Sequence, residues 1–247
     1  MRITRRILAL SAGLAAPALL ASMAHADVMA RGQANGLEAT VLFATDGDRL
    51  LVTLTNSALS DVLVPANVLT AVFFDIAGLG LTLAPESAVI DDGAIVRWGS
   101  TEPGGGVGGE WAFRSGLSGA PGGALYGIGA AGFGLFGPHD SFPGANLDGQ
   151  SGPQGLNYGL LSAGDNPLTG NTPVTGSNPL IQSAVIFALD GLPQGFSLGS
   201  IGNVTVQYGT SLSEPSFPAT IISVPAPGAA AGVGMAMGLL AIRRRRA

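Results

Sequence analysis

The chain has no cysteine and no lysine, and it has two histidines in 247 residues. Without cysteine there is no disulfide, no thiolate nucleophile and no thiolate zinc site. His25 lies in an N-terminal leader-like segment, so the body keeps only His139 as a neutral-pH base. A domain without disulfides must rely on its core. Helical periodicity is missing as well. Between residues 27 and 222 no run of ten or more residues carries it without an interrupting glycine or proline.

Positive charge is scarcest in that middle stretch. Residues 27–222 hold four arginines (Arg31, Arg49, Arg97, Arg114) and all sixteen acids of the chain, a formal charge of −12. Such a surface repels phosphate backbones and anionic lipid, so nucleic acid is not an expected partner. At about 195 residues the stretch is long enough to bury one core as a single domain.

What is there reads as β throughout. Segments 39–45 and 49–56 are two predicted strands around Asp46-Gly47-Asp48, and the Asp-Gly between them is a hairpin signal. In the second, Leu50, Val52 and Leu54 share a face. Segment 68–76 is a continuous apolar run, as expected of a strand buried on both faces. Further strands are predicted at 79–83, 87–91, 94–98, 110–115, 180–190 and 203–208. Many short strands with turn signals between them imply an all-β domain, a β-sandwich or jelly roll, over 27–222.

Between residues 99 and 164 the texture changes: 21 of these 66 residues are glycine, with Tyr126, Phe133, Phe136, Phe142 and Tyr158 spaced among them. Glycine packs nothing in a strand, so the stretch reads as long loops on the rim, pinned by the aromatics, or as a low-complexity insert. Loops on a rigid sandwich are where a ligand cleft can form.

Residue patterns for chemistry are weak. The spacing GxGxxG occurs at Gly104, Gly106 and Gly109, at Gly127, Gly129 and Gly132, and at Gly132, Gly134 and Gly137, as chance allows in so glycine-rich a stretch, and none opens a helix to complete a phosphate cradle. His139-Asp140-Ser141 has the letters of a hydrolytic triad, yet adjacent residues cannot adopt triad geometry. Asp46/Asp48 and Asp91/Asp92 are solvated turn pairs outside any twelve-residue calcium loop. Glu102/Glu110 is one of many carboxylate pairs with nothing to single it out as a glycosidase couple. No catalytic residue, metal or cofactor is assigned, and the body is read as a non-enzyme. Trp98 and Trp111 are the candidates for stacking on sugar rings, while a core role suits at least one of them.

The two ends are of another kind. Residues 1–26 have Arg2, Arg5 and Arg6, then an apolar run, then Ala24-His25-Ala26 as a small-x-small cleavage site. This reads as a signal peptide, with the mature chain expected to begin at Asp27. The C-terminal segment 223–247 has three parts in order. These are a turn motif at 224–228 (Val224, Pro225, Ala226, Pro227, Gly228), an apolar run at 229–242, and Arg243, Arg244, Arg245 and Arg246. The fourteen apolar residues make a helix of about 21 Å. That is shorter than a bilayer core of about 30 Å, and arginine stems that snorkel reduce the deficit. Four arginines at the membrane read as the cytoplasmic side, which puts the body outside.

Pro-x-Pro-Gly, a short apolar helix and a terminal arginine cluster resemble the C-terminal sorting signal of bacterial PEP-CTERM proteins, although Ala226 stands where the usual motif has glutamate. A looser similarity lies at 204–217 (VTVQYGTSLSEPSF), which is similar to a segment that often ends the ectodomain of such proteins. The resemblance implies an exosortase-like processing enzyme as partner and cleavage near Pro225 to Pro227. It also implies a transient inner-membrane precursor and delivery to the cell surface or matrix, in an exopolysaccharide or biofilm setting. The expectation is therefore an exported structural or interaction protein. The second reading is a carbohydrate-binding or adhesive module that takes up polysaccharide through aromatics on the glycine-rich loops.

Overall fold

In a computed structural model of the chain, residues 26–78, 80–150 and 152–223 are described. The leader with Ala24, the motif at 224–228, the apolar run at 229–242 and Arg243 to Arg246 lie outside the described residues; Ala26 is described and exposed.

The strands in chain order are β1 (Val28–Ala34), β2 (Leu37–Asp46), β3 (Arg49–Asn56), β4 (Leu69–Ile76), β5 (Ala84–Ile90), β6 (Ile95–Arg97) and β7 (Ala112–Ser115). They continue as β8 (Tyr126–Gly129), β9 (Leu160–Leu161), β10 (Leu180–Gln182), β11 (Ala184–Asp190), β12 (Ile201–Tyr208), β13 (Ser216–Pro218) and β14 (Thr220–Ser223). The architecture is all-β. Helical structure among the described residues is limited to single 3-10 turns, and no helix there is long and apolar enough to cross a membrane.

The strands form two sheets. One runs β14-β1-β2-β3-β11-β5; the other runs β13-β12-β4-β9-β10-β6, with β8 pairing β4 and β7 pairing β8. The period-2 pattern of β2 and β3 explains the first sheet. Val41, Phe43, Leu50, Val52 and Leu54 point inward and are fully buried, with their alternates half-exposed. The β2–β3 hairpin closes at Asp46 opposite Arg49, leaving Gly47-Asp48 as a two-residue turn with Gly47 at φ 65°. The inner faces meet across one core, where Phe43 on β2 lies edge-to-face with Phe74 on β4 at 5.3 Å between ring centroids.

Strand β4 is buried on both faces, as its nearly continuous apolar run requires. Val72 and Phe74 join the core between the sheets. Ala71 and Phe73 face outward into a second cluster, where the glycine-rich segment lays Phe136 and Phe133 against Phe73. Tyr126, Phe142 and Tyr158 are buried in the main core.

The structure departs from the sequence expectations in four places. The predicted strand 180–190 is two strands: Ser183 at φ 94° turns the chain, so that Ile181 pairs in the second sheet and Val185 in the first. Residues 80–83 form no strand. The stretch 99–164 is not loop alone, since β8 and β9 lie within it. Gly127 in β8 is there for space: a Cβ at that position would fall 2.7 Å from the Phe73 ring. Finally β1, rich in small and polar residues, pairs along its whole length with β2 and takes β14 on its other side. Low intrinsic β-propensity hid it, and cross-strand partners supply what propensity does not.

Candidate functional site

Strands β6, β9 and β10 bring three chain ends together. β6 is antiparallel to β10, with Arg97 opposite Leu180, and β9 is parallel to β10, with Leu160 opposite Ile181. The segment leaving β6 and the segments entering β9 and β10 therefore emerge at one end of the second sheet. They carry Trp98 and Ser100, Asn157 and Tyr158, and Asn178 and Pro179. Residues 147–150 of the glycine-rich region form the fourth side, and the cleft, open to solvent, is about 500 Å³.

Its lining is mainly polar and held in place. The Asn178 amide donates to Asn157 Oδ1, the Asn157 amide donates to Asp148 Oδ2, and the Gln150 N–H donates to Asp148 Oδ1. Tyr158 is buried; its hydroxyl donates to the Ser100 carbonyl and its N–H to the Pro179 carbonyl. Burial raises the Tyr158 pKa, and the Glu110 and Asp148 carboxylates push in the same direction, so the phenol stays a donor. Trp98 (φ 57°) and Tyr158 (φ 56°) both adopt left-handed backbone that non-glycine residues avoid. Such conformations cost on the order of 1–2 kcal/mol and persist only where the surroundings impose them.

Of the ten Phe, three Tyr and two Trp, only Trp98 is exposed, at 40%. Trp111 is 0% exposed, packed at 4.9 Å between ring centroids against Phe187 of the opposite sheet. It offers no face to a ligand, which corrects its candidacy as a stacking residue and makes it the core member of the pair. Trp98 keeps that candidacy. Tyr158 stood out in the sequence only as one of the aromatics pinning the glycine-rich stretch, and Asp148, Gln150, Asn157 and Asn178 carried no sequence signal, because their meeting depends on loops remote in the chain.

Behind the cleft wall sits Glu110, 2% exposed, whose carboxylate accepts the N–H groups of Leu147 and Asp148. Burial pushes its pKa from the ordinary 4.5 to about 7; the neighbouring Asp148 charge adds to the rise, and the two N–H donors oppose it. Glu110 therefore holds a proton in the folded state that it loses in the unfolded chain between pH 4.5 and about 7. This stabilisation is complete below pH 4.5 and is lost as pH rises toward and through 7, a loss of about 3 kcal/mol at roughly 1.4 kcal/mol per unit. Glu110→Gln is expected to match the parent at pH 5 and to be more stable at pH 8. Chemical denaturation at the two pH values checks this, and equal stability of parent and variant at pH 8 would refute it.

The other sequence candidates are dispersed. His139 is exposed, and the adjacent Asp140 accepts from Gly137 N–H and pairs with Arg114 at 3.6 Å. Asp46 pairs with Arg49, and Asp91 caps its own turn through Asp92 N–H. No group of three or more metal-ligating side chains assembles among the described residues. Each of the body's four arginines is engaged: Arg31 with Glu38, Arg49 with Asp46 and Glu86, Arg114 with Asp140, and Arg97 with Gln182.

No protein-family model, no curated protein and no solved structure matches this chain.

Proposed function

We propose that this chain is an exported cell-surface or extracellular-matrix protein with a structural or interaction role and no catalytic one. Its paired sheets are read as a β-sandwich, carried to the surface by a leader ending at Ala26 and by a PEP-CTERM-type signal at 224–247. The observation that carries the reading is the relation of the sheet to the two processing points. β1 opens at Val28, two residues after Ala26, and β14 runs to Ser223, one residue before Val224. Val28 and Ser223 are direct partners in the antiparallel β1–β14 pair.

A precursor held at both ends would thus hang from one corner of one sheet, and removing either end would break no strand. The non-catalytic part rests on chemistry. The one carboxyl with a strongly raised pKa, Glu110, is buried and spends its acceptor capacity on two backbone N–H groups. A general acid needs access to its substrate.

Intact-mass measurement of the protein from the cell surface, the culture supernatant and the membrane fraction tests the reading. Released protein is expected to begin at Asp27 and to lack the arginine cluster. Surface protein whose mass runs through Ala247 would overturn the processing step, and a chain recovered only from the cytosol with its leader attached would overturn the export itself.

A further inference from the structure

We infer that the cleft at Trp98 is a binding site for a neutral, hydroxyl-rich glycan, with one sugar ring stacked on the indole and its hydroxyls met by Asn178, Gln150 and Asp148. The inference takes only its setting from the surface-protein reading; the site itself rests on geometry.

Three observations carry it. The first is the indole. This fold buries or half-buries every other aromatic it has, yet presents Trp98 at the mouth of a cleft on strained backbone. A flat ring exposed this way offers an apolar face with a polar N–H at its edge. A pyranose ring has the matching form, a C–H face that gains by leaving water and a rim of hydroxyls that must remain hydrogen-bonded. Gly176 lies beside the indole, where a Cβ would come within 3.6 Å of Nε1, so the loop flanks the ring without covering it.

The second is the hydrogen-bonding character of the lining. Side-chain amides, hydroxyls and a carboxylate supply donors and acceptors at short range. The Asn178–Asn157–Asp148 chain fixes their orientation before any ligand arrives, which reduces the ordering cost of binding. The cleft volume of about 500 Å³ falls within the range of small-ligand sites, but a polar lining disfavours an apolar ligand.

The third is charge. No basic residue lines the cleft, Asp148 does, and all four arginines of the body are engaged elsewhere. A uronate or sulfated polymer would meet the Asp148 carboxylate on a body of formal charge −12 with no cation in the cleft to neutralise it. Neutral glycans meet no such barrier.

The test is retardation of the detergent-solubilised full-length chain in native gels. The gels contain a β-1,3-glucan, a β-1,4-glucan, a galactomannan or, as the anionic arm, a polyuronate. The parent protein is expected to be retarded by at least one neutral polymer and not by the polyuronate. Trp98→Ala is expected to weaken that retention by on the order of tenfold, and Asn178→Ala by a smaller factor. Trp98→Gly suits the left-handed backbone, so it removes the indole without straining the fold; it should lose binding while keeping the parent's unfolding midpoint. Retention by none of the neutral polymers, retention unchanged in Trp98→Gly, or preference for the polyuronate would each overturn the inference. Surface protein that is correctly processed but binds no neutral glycan would overturn this inference alone and leave the surface-protein reading standing.

Discussion

Replacing Gly108 with alanine is expected to destabilise the protein by about 3 kcal/mol or more, through backbone collision rather than lost conformational freedom. A Cβ on Gly108 would lie 1.9 Å from the Pro143 carbonyl oxygen and 2.8 Å from its carbon, both of them backbone atoms. Segment 142–145 cannot simply move aside. The Phe142 N–H donates to the Trp111 carbonyl, and the Phe142 ring packs 5.4 Å from Phe187 in the main core. Next door, a Cβ at Gly109 would meet the Ala145 carbonyl oxygen at 2.1 Å, so the contact runs the length of the segment. Lifting it would unseat Phe142 and disturb the 147–150 wall of the cleft.

Gly116→Ala is the control. That residue has φ 68°, and nothing lies within 4 Å of where an alanine methyl would stand, so only the left-handed backbone is penalised, by about 1 kcal/mol. Thermal unfolding should show Gly108→Ala falling by at least about 6 °C, several times the control, given roughly 2–4 °C per kcal/mol at this size. Equal shifts in the two variants would show that segment 142–145 is not anchored as described.

Trp111→Ala is expected to cost about 3–5 kcal/mol, the range for emptying the space of a large buried aromatic. Trp111 enters the core from the residue just before β7 and touches Phe187 on β11, so its ring helps join one sheet to the other. Its Nε1 has no hydrogen-bond partner among the described residues, which leaves packing as what holds it. Trp111→Phe keeps a ring against Phe187 and is expected to lose less than half as much. Glycan retention should be unaffected in any Trp111 variant that remains folded, in contrast to Trp98. Urea unfolding of the two Trp111 variants checks the order, and an alanine variant no less stable than the phenylalanine one would refute it.

The two tryptophans show where sequence reading runs out. Trp98 follows the β-prone run Ile95–Arg97 and Trp111 follows Gly108-Gly109-Glu110, and neither lead-in says which ring will be buried. Trp111 is followed by Ala112 and Phe113, both buried, Phe113 in the main core with it and Ala112 in the second cluster; Trp98 is followed by Gly99 and Ser100, both exposed. The same holds for Glu110. As one of sixteen acids it does not stand out in the sequence, and its proton affinity arises only from burial beside Asp148, 38 positions later.

The sequence by itself determined the local features. It showed a β2–β3 hairpin with inward Leu50, Val52 and Leu54, a strand β4 apolar on both faces, and an acidic body without thiols. Each depends on residues a few positions apart, through the two-residue period of a strand or the chemistry of one turn. The tertiary structure decided the rest. It set the exchange of sheets at Ser183, the paired ends of the body at Val28 and Ser223, the glycines that admit a neighbouring backbone, and a cleft assembled from four separate segments. These are long-range juxtapositions, set by how sheets pair and stack across the whole chain, and no local pattern encodes which distant loops will share one end of a sheet.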